Sequence, residues 1–342
     1  MAKKPSGDTA GGLQLKSDLK NKSPGRFYII YGSEDYLCRY YHDQLSKLLL
    51  DDLTADFNYH RLTTENFSLQ LLSDSMEALP MMSERSLVHM DEIDLFALNE
   101  DESERLAQML ADVPDYCCLV MTYSEFKPDK RKKLWKTVER NAVLAEFNFQ
   151  DETMLRPWIT KHFKDAGKFV TPDLCNYLMS LSGTSMTRLL GEIEKICGYS
   201  DAEAIVKSDI DAVVEPTPEA VVFQITDALA DRRFDDAVER LHVMFKLQGE
   251  AIPIVAMIGT QMRRLRAAKI LKNADELASV CSLQSFAANK TMTQARRFSE
   301  RFCNRAVLLC ADTDYKLKTS YDEPERLTQM LVLELAQEAR ND

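Results

Sequence analysis

The chain has 342 residues, 45% of them hydrophobic and 28% charged, a composition typical of a globular protein with two or three domains. Its formal net charge of −11 argues against non-specific attraction to nucleic acid, so any DNA contact requires a local basic surface. No apolar run approaches the roughly 18 to 20 residues that cross a bilayer, and the N-terminal segment lacks the apolar core of a secretory signal. We therefore expect a cytoplasmic protein.

Residues 1–25 are rich in basic and small residues, and we expect a flexible tail there. Residues 26–149 alternate short apolar runs with helical periods, which predicts a mostly parallel α/β sheet. The expected strands are Phe27–Tyr31, Phe57–Leu62, Ser86–Met90, Tyr116–Thr122 and Ala142–Phe147.

After Phe149 the strand patterns stop. Helix starts such as Asp151 and Thr171-Pro172, with Gly167 and Gly183 as helix ends, predict a small helical domain over residues 150–214. Two prolines in Glu215–Ala220 indicate a boundary, and residues 215–342 are expected to form a larger helical domain. Its predicted helices are about Ala220–Leu229, Phe234–Leu247, Ile252–Leu271, Thr293–Thr319 and Glu323–Arg340.

The segment after the first strand is where a nucleotide-binding protein has its phosphate loop. The pattern G-x-x-x-x-G-K-[ST], started at Gly32, places Leu37, Cys38 and Arg39 where Gly, Lys and Ser or Thr are required. Leu37 fills space that a phosphate needs, Cys38 has no positive charge, and Arg39 cannot ligate magnesium. We therefore predict that the segment retains the scaffold of an ATPase without its chemistry.

Asp91 and Glu92 follow a buried strand, as the second acidic motif of an ATPase does. Without a magnesium ion bound to a nucleotide they have nothing to coordinate, so a solvated strand end is the favoured interpretation. A site completed by a neighbouring chain, or an unusual mode of nucleotide binding, is the alternative.

No other chemical motif stands out. The eight cysteines form no C-x-x-C pair and no zinc spacing with histidine, and their apolar contexts predict buried, reduced thiols. The five histidines are scattered, and no G-x-S-x-G motif occurs. We therefore expect no catalytic residue, no metal and no cofactor.

The order of features resembles the delta subunit of the bacterial DNA polymerase III clamp loader over nearly the whole chain. The segments that carry the resemblance are FYIIYGSEDYL, ALPMMSERSLVHM, KPDKRKKLWKTVERNAVLAEF, the second-domain run with its W-I and E-I-E-K, and DYKLKTS. Each motif is short, but the ordered set is specific. The resemblance implies an AAA+-like RecA-type α/β domain with a degenerate nucleotide site, a small helical lid domain and a C-terminal helical collar domain.

The resemblance implies a function without catalysis by this chain. The family binds the beta sliding clamp and opens its interface for loading on primed DNA, as a subunit of the DNA polymerase III holoenzyme. The implied partners are the beta clamp, the tau/gamma ATPase subunits and delta prime in a hetero-pentamer, and primed DNA through the complex, without a membrane. An ATPase of the same architecture with a cryptic site, and a DNA-binding adaptor outside replication, stay open as alternatives.

The resemblance places clamp binding on Leu79, Met81 and Met82. Pro80 breaks the preceding helix and leaves a stiff corner of adjacent apolar side chains, which suits insertion into a hydrophobic pocket. The alternative is that one or both methionines pack into the domain's own core. Aromatic residues are typical of the family at this corner, so the two methionines are a departure from it.

Tyr321 falls where the family has an aromatic residue near the primer–template junction, and stacking on a base is physically reasonable there. A packing or capping tyrosine is the alternative. Residues 127–140 hold seven basic and two acidic residues. They form either a solvated helix face with Leu134 and Val138 packed inward, or an electrostatic contact with DNA or partner subunits. Collar contacts are expected at Arg263, Arg264 and Arg266.

Overall fold

The computed structural model describes residues 9–51, 53–271 and 273–342, and the chain divides into two compact units between Gln150 and Asp151. The elements of the first unit are α1 (Ala10–Lys20), β1 (Phe27–Tyr31), α2 (Asp35–Leu49), α3 (Ala55–Asn58), β2 (Tyr59–Leu62), α4 (Leu69–Glu77), β3 (Ser86–Asp91), α5 (Glu100–Ala111), β4 (Cys117–Tyr123), α6 (Lys133–Asn141) and β5 (Val143–Glu146).

A parallel sheet with the strand order β2-β3-β4-β1-β5 forms the centre of the first unit. Side chains alternate between its two faces. Ile29 and Met121 pack in the core that includes residues of α4, α5 and α6, whereas Ile30 and Leu87 pack in the core that includes residues of α1 and α2. Because both faces are covered, the central strands β1, β3 and β4 are buried along nearly their whole length.

The five predicted strands are confirmed, with ends that differ by at most two residues. The largest difference concerns Phe57–Leu62, where the structure forms the short helix α3 up to Asn58 and begins β2 at Tyr59. Asparagine is depleted in strands, which agrees with the later start.

The prediction of a flexible tail over residues 1–25 is wrong for the described part of that segment. Thr9 caps α1 by accepting a hydrogen bond from the Gly12 N–H, and Leu15 is fully buried in the core beside α2. Gly11 lies so close to β5 that a Cβ there would stand 2.0 Å from the Leu144 carbonyl oxygen. Gly11 gives helix α1 its close contact with the sheet, and the adjacent glycines Gly11 and Gly12 weaken the helical signal in the sequence. Residues 1–8 lie outside the described residues.

The described part of the second unit is helical apart from an isolated bridge between Phe169 and Ala204. Its helices are α7 (Glu152–Asp165), α8 (Pro172–Ser182), α9 (Met186–Tyr199), α10 (Lys207–Val213), α11 (Pro218–Ala230), α12 (Phe234–Gln248), α13 (Ala251–Ile270), α14 (Ala274–Cys281), α15 (Ser285–Ala295), α16 (Glu300–Thr319) and α17 (Pro324–Arg340).

Helices α11 to α17 share one apolar core, in which α13 and α16 pack along each other. A single helix over Thr293–Thr319 was expected, and this prediction is wrong. Ser299 starts a separate helix, α16, by accepting a hydrogen bond from the Phe302 N–H. The Thr217 N–H donates to the Leu181 carbonyl across the expected boundary at residue 215, so that boundary stays a prediction.

The predicted fold class, α/β followed by all-α, is confirmed. Among the described residues, none of the helices has the length and apolar character needed to cross a bilayer.

Candidate functional site

The loop after β1, where a nucleotide-binding protein has its phosphate loop, holds an acidic side chain of the chain itself. Gly32 has φ +140°, and the Glu34 N–H donates to the Phe147 carbonyl at 3.1 Å. The buried Glu34 side chain then accepts the Tyr36 N–H at the start of α2. Free N–H groups at a helix N-terminus are what attracts a phosphate. Here the Glu34 side chain already accepts one of these N–H groups.

The two following positions agree with the loss of the phosphate loop. Cys38 is buried, and burial raises the pKa of its thiol to about 12, so the side chain is neutral near pH 7. Leu37 packs against the core on the α2 side of the sheet. Neither Leu37 nor Cys38 therefore supplies what a phosphate loop requires at its position, a glycine and a cation.

A cleft of about 550 Å³ lies at the carboxyl ends of β2, β3 and β4, beside α2. This edge of a parallel sheet is where α/β proteins bind their ligands. Polar residues line most of it, among them Asp35, Arg39, His42, Arg61, Asp91 and Glu92.

A directed chain of hydrogen bonds crosses the floor of this cleft. Arg61 donates to Asp91 at 2.6 Å, and the Thr122 hydroxyl donates to the other Asp91 oxygen at 3.0 Å. Since that hydroxyl proton is used, Thr122 accepts from His89 Nε2 at 2.8 Å, and His89 Nδ1 accepts from the Tyr59 hydroxyl at 2.9 Å. Burial lowers the pKa of His89 to about 3, which keeps the ring neutral and this direction fixed near pH 7.

Asp91 and Glu92 both already accept hydrogen bonds from other groups of the protein. Burial would raise the pKa of Asp91, but the hydrogen bonds from Arg61 and Thr122 outweigh it, and the pKa of the carboxyl is lowered. Glu92 has φ +54° and accepts the Ser124 N–H. In the described parts of the chain, no group of three or more His, Cys, Asp and Glu side chains is arranged to hold a metal ion.

The corner predicted to bind a partner lies between α4 and β3. Helix α4 ends at Glu77, three residues before Pro80. The exposed fractions of Leu79, Met81 and Met82 are 77%, 53% and 91%. These side chains therefore lie outside the core, which removes the alternative that the methionines fold inward.

Asn58 holds this corner from the neighbouring segment. Its side-chain nitrogen donates to the Met81 carbonyl at 2.9 Å, and its side-chain oxygen accepts the Met81 N–H at 2.7 Å. Met82 follows in the left-handed conformation at φ +53°, which is uncommon for a non-glycine residue. The Asn58 side chain is completely buried.

Arg85 fixes the other end of the corner. Its guanidinium donates to the carbonyls of Pro24, Gly25 and Cys117 at 2.7 to 2.9 Å. No role was predicted from the sequence for Arg85 or Asn58. The one signal for Asn58 was an asparagine near the start of the predicted strand Phe57–Leu62, where that residue type is unfavourable.

The corner and the cleft lie at opposite ends of the same strands. Asn58 precedes the first residue of β2, and the corner precedes β3 at Ser86. The cleft is formed where these two parallel strands end, at Arg61 and Asp91. The corner and the cleft are therefore separate surfaces of the first unit.

The remaining predicted residues lie apart from both features. Tyr321 is fully exposed between α16 and α17. In α6, Leu134 and Val138 are buried, as expected for a solvated basic helix, and neighbouring carboxylates pair with Arg131 and Lys133. The three arginines expected at the collar lie on α13, where Arg263 and Arg266 are exposed and Arg264 is half-buried.

Two family models match the chain in order. Residues 28–148 match the DNA polymerase III delta subunit, and residues 219–335 match the C-terminal domain of the same subunit. The chain belongs to the DNA polymerase III delta-subunit family. The recognition made from the sequence is thereby confirmed.

Known members of the delta family match most of the chain. The DNA polymerase III subunit delta of Bacillus subtilis is 24% identical over 329 residues, which cover 93% of this chain and 94% of that protein. A probable DNA polymerase III subunit delta of Aquifex aeolicus is 23% identical over 271 residues, 77% of each protein. The structure of the Bacillus subtilis DNA clamp loader delta protein matches with a TM-score of 0.66 and 24% identity, over 95% of this chain and 99% of that one. This match confirms the predicted fold, an α/β part followed by helices.

Proposed function

We propose that this delta-family chain is the clamp-opening subunit of a DNA polymerase III clamp loader. It binds the beta sliding clamp through Leu79, Met81 and Met82 and holds the clamp's interface open for loading on primed DNA. Its partners are the tau/gamma ATPase subunits and delta prime, joined through the helical C-terminal region. Within the DNA polymerase III holoenzyme it has no catalytic step of its own.

The observation that carries this proposal is an exposed apolar corner on a fixed backbone. When a partner's pocket covers an apolar side chain, the complex is stabilised by about 25 cal/mol per Å² of apolar surface removed from water. Asn58 binds the Met81 peptide, and the Arg85 side chain ties the end of the corner to neighbouring segments, so little backbone freedom is lost on binding. Two adjacent methionines suit a pocket of irregular shape.

The alternative of a cryptic ATPase is favoured by one feature, the cleft at the carboxyl ends of β2, β3 and β4. Three observations weigh against it. The Glu34 side chain occupies the start of α2, Cys38 supplies no cation, and Asp91 is already bound by Arg61 and Thr122. We therefore propose that ATP is bound and hydrolysed only by other subunits.

The clamp-binding role is tested by titrating the purified chain against the sliding clamp of its own organism. The informative variants are Leu79→Ala and Met82→Asn. Asparagine tolerates the left-handed conformation at residue 82, so this substitution removes the apolar side chain without straining the backbone. Each variant is expected to weaken binding at least about tenfold, or about 1.4 kcal/mol.

Leu13→Ala is the matched control. Leu13 is 56% exposed, close to the exposure of Met81, but it belongs to α1, which packs on β5 at the opposite edge of the sheet from β2. Its substitution is expected to leave clamp affinity unchanged. Equal binding by all variants would mean that the clamp contact lies elsewhere than at the corner. Absence of binding by folded wild-type protein would contradict the proposed function. Saturable ATP binding by the isolated chain would instead support the ATPase alternative.

A further inference from the structure

We infer that Asn58 is the positioning residue of the clamp-binding corner, an inference that rests on the proposed function. Asn58 itself is completely buried and does not reach a partner. It acts through the Met81 peptide, whose carbonyl and N–H it binds at 2.9 and 2.7 Å. The exposed methionine side chains are thereby directed outward from a backbone that cannot easily rearrange.

The chemistry of the contact requires a carboxamide. One face of the Met81 backbone presents a donor and an acceptor, and the planar amide of asparagine offers the complementary pair, as a neighbouring strand would. Aspartate presents acceptors only, so it retains the bond from the Met81 N–H and loses the bond to the carbonyl. Leucine has nearly the same shape as asparagine and retains neither bond.

The adjacent residue explains why the corner needs this contact. Met82 has φ +53°, and a side chain with a Cβ disfavours that conformation unless the surrounding structure maintains it. Asn58 lies directly before β2, which pairs with β3 in the register Tyr59 to Leu87. The corner is therefore fastened to the start of two paired strands on one side and to Arg85 on the other.

The inference is tested by measuring clamp affinity for Asn58→Asp and Asn58→Leu, each in the wild-type chain and in a chain that already carries Leu79→Ala and Met82→Asn. We expect Asn58→Leu to weaken binding about tenfold and Asn58→Asp to weaken it less. In the chain with the altered corner, neither substitution should weaken binding further, because Asn58 acts only through the corner. A loss of the same size in both chains would overturn the inference, and so would unchanged affinity of Asn58→Leu in the wild-type chain.

Amide hydrogen exchange at Met81 provides a measurement that does not need the clamp. The Met81 N–H is expected to be protected in the wild type and to exchange much faster in Asn58→Leu, while the amides of β3 keep their protection. Unchanged exchange at Met81 would overturn the inference even if the clamp binds. If the wild-type chain binds no clamp, the proposed function fails and the inferred role in clamp binding fails with it; exchange at Met81 then still decides whether Asn58 fixes the corner. Should Asn58→Leu not fold, Asn58→Ala, which also retains neither bond to the Met81 peptide, is judged by the same two measurements.

Discussion

The backbone of Gly32 passes so close to Phe147 that a Cβ atom at residue 32 would stand 1.9 Å from the Phe147 carbonyl oxygen. The same carbonyl accepts the N–H of Glu34, so the loop after β1 and the chain after β5 are locked together. The loop that holds phosphate in an ATPase is here fixed against the protein itself.

This contact makes Gly32→Ala strongly destabilising. The added methyl group collides with backbone, and φ +140° is a conformation that residues with a Cβ rarely adopt. We expect the free energy of unfolding of the first unit to fall by about 2 to 4 kcal/mol, measured by chemical denaturation. Gly12→Ala in α1 is the control, since its Cβ would meet only ordinary contacts and helix propensity favours alanine. An equal effect of the two substitutions would contradict the argument.

Asp91→Asn separates a structural role of this carboxylate from a catalytic one. The carboxyl has a lowered pKa in the folded chain, so its stabilisation is present above the unfolded pKa of about 3.9 and disappears as the pH falls through the lower folded pKa. At pH 7 the variant should be less stable by about 1 kcal/mol, because the bond from Arg61 loses its charge. The difference from wild type should close in acid below about pH 4.

Thermal unfolding of both proteins between neutral and acidic pH checks this expectation. Asp115→Asn is a suitable comparison, because Asp115 pairs with Arg26 on the open surface and should contribute little. A stability difference for Asp91→Asn that stays constant across the pH range would exclude the electrostatic explanation. A change in ATP binding in this variant would revive the ATPase alternative.

The cysteines should divide into two groups by reactivity. Cys197 and Cys281 are partly exposed, whereas Cys38, Cys117, Cys118, Cys175, Cys303 and Cys310 are buried. Burial raises the pKa of the Cys118 and Cys310 thiols to about 12, so thiolate is scarce at pH 8 and reagents also lack access. Mass spectrometry after brief alkylation should find label on Cys197 and Cys281 first. Rapid labelling of Cys118 in folded protein would contradict the described core.

The structural features that could be predicted from the sequence are those that depend on a local residue pattern. Apolar runs located the five strands, and the combination of Leu37 and Cys38 predicted a nucleotide site without its chemistry. Helix α1 was missed because its stability comes from contact with β5 through Gly11, which a local pattern does not reveal.

In the candidate site, too, the features set by local pattern could be predicted and those set by contacts between distant residues could not. Exposed apolar residues after a proline could be predicted to form a corner, and their exposure agrees. The hydrogen bonds between Asn58 and Met81 could not be predicted, since they join residues 23 positions apart in the chain and depend on the pairing of β2 with β3. The chain of hydrogen bonds from Tyr59 to Asp91 likewise needs side chains from three strands in register.

Tyr321 should contribute to DNA binding through its ring. It is fully exposed between α16 and α17, so stacking on a base would cover apolar surface that water now contacts. In the assembled loader, Tyr321→Ala should weaken binding of primed DNA by about 1 to 3 kcal/mol, and Tyr321→Phe should bind nearly as well as wild type because it retains the ring. Fluorescence anisotropy with labelled primed DNA measures both. Tyr199→Ala, another exposed tyrosine of the same unit, should leave the affinity unchanged. If Tyr321→Phe binds primed DNA as weakly as Tyr321→Ala, the hydroxyl rather than stacking makes the contact. If Tyr321→Ala binds as tightly as wild type, residue 321 lies away from the DNA.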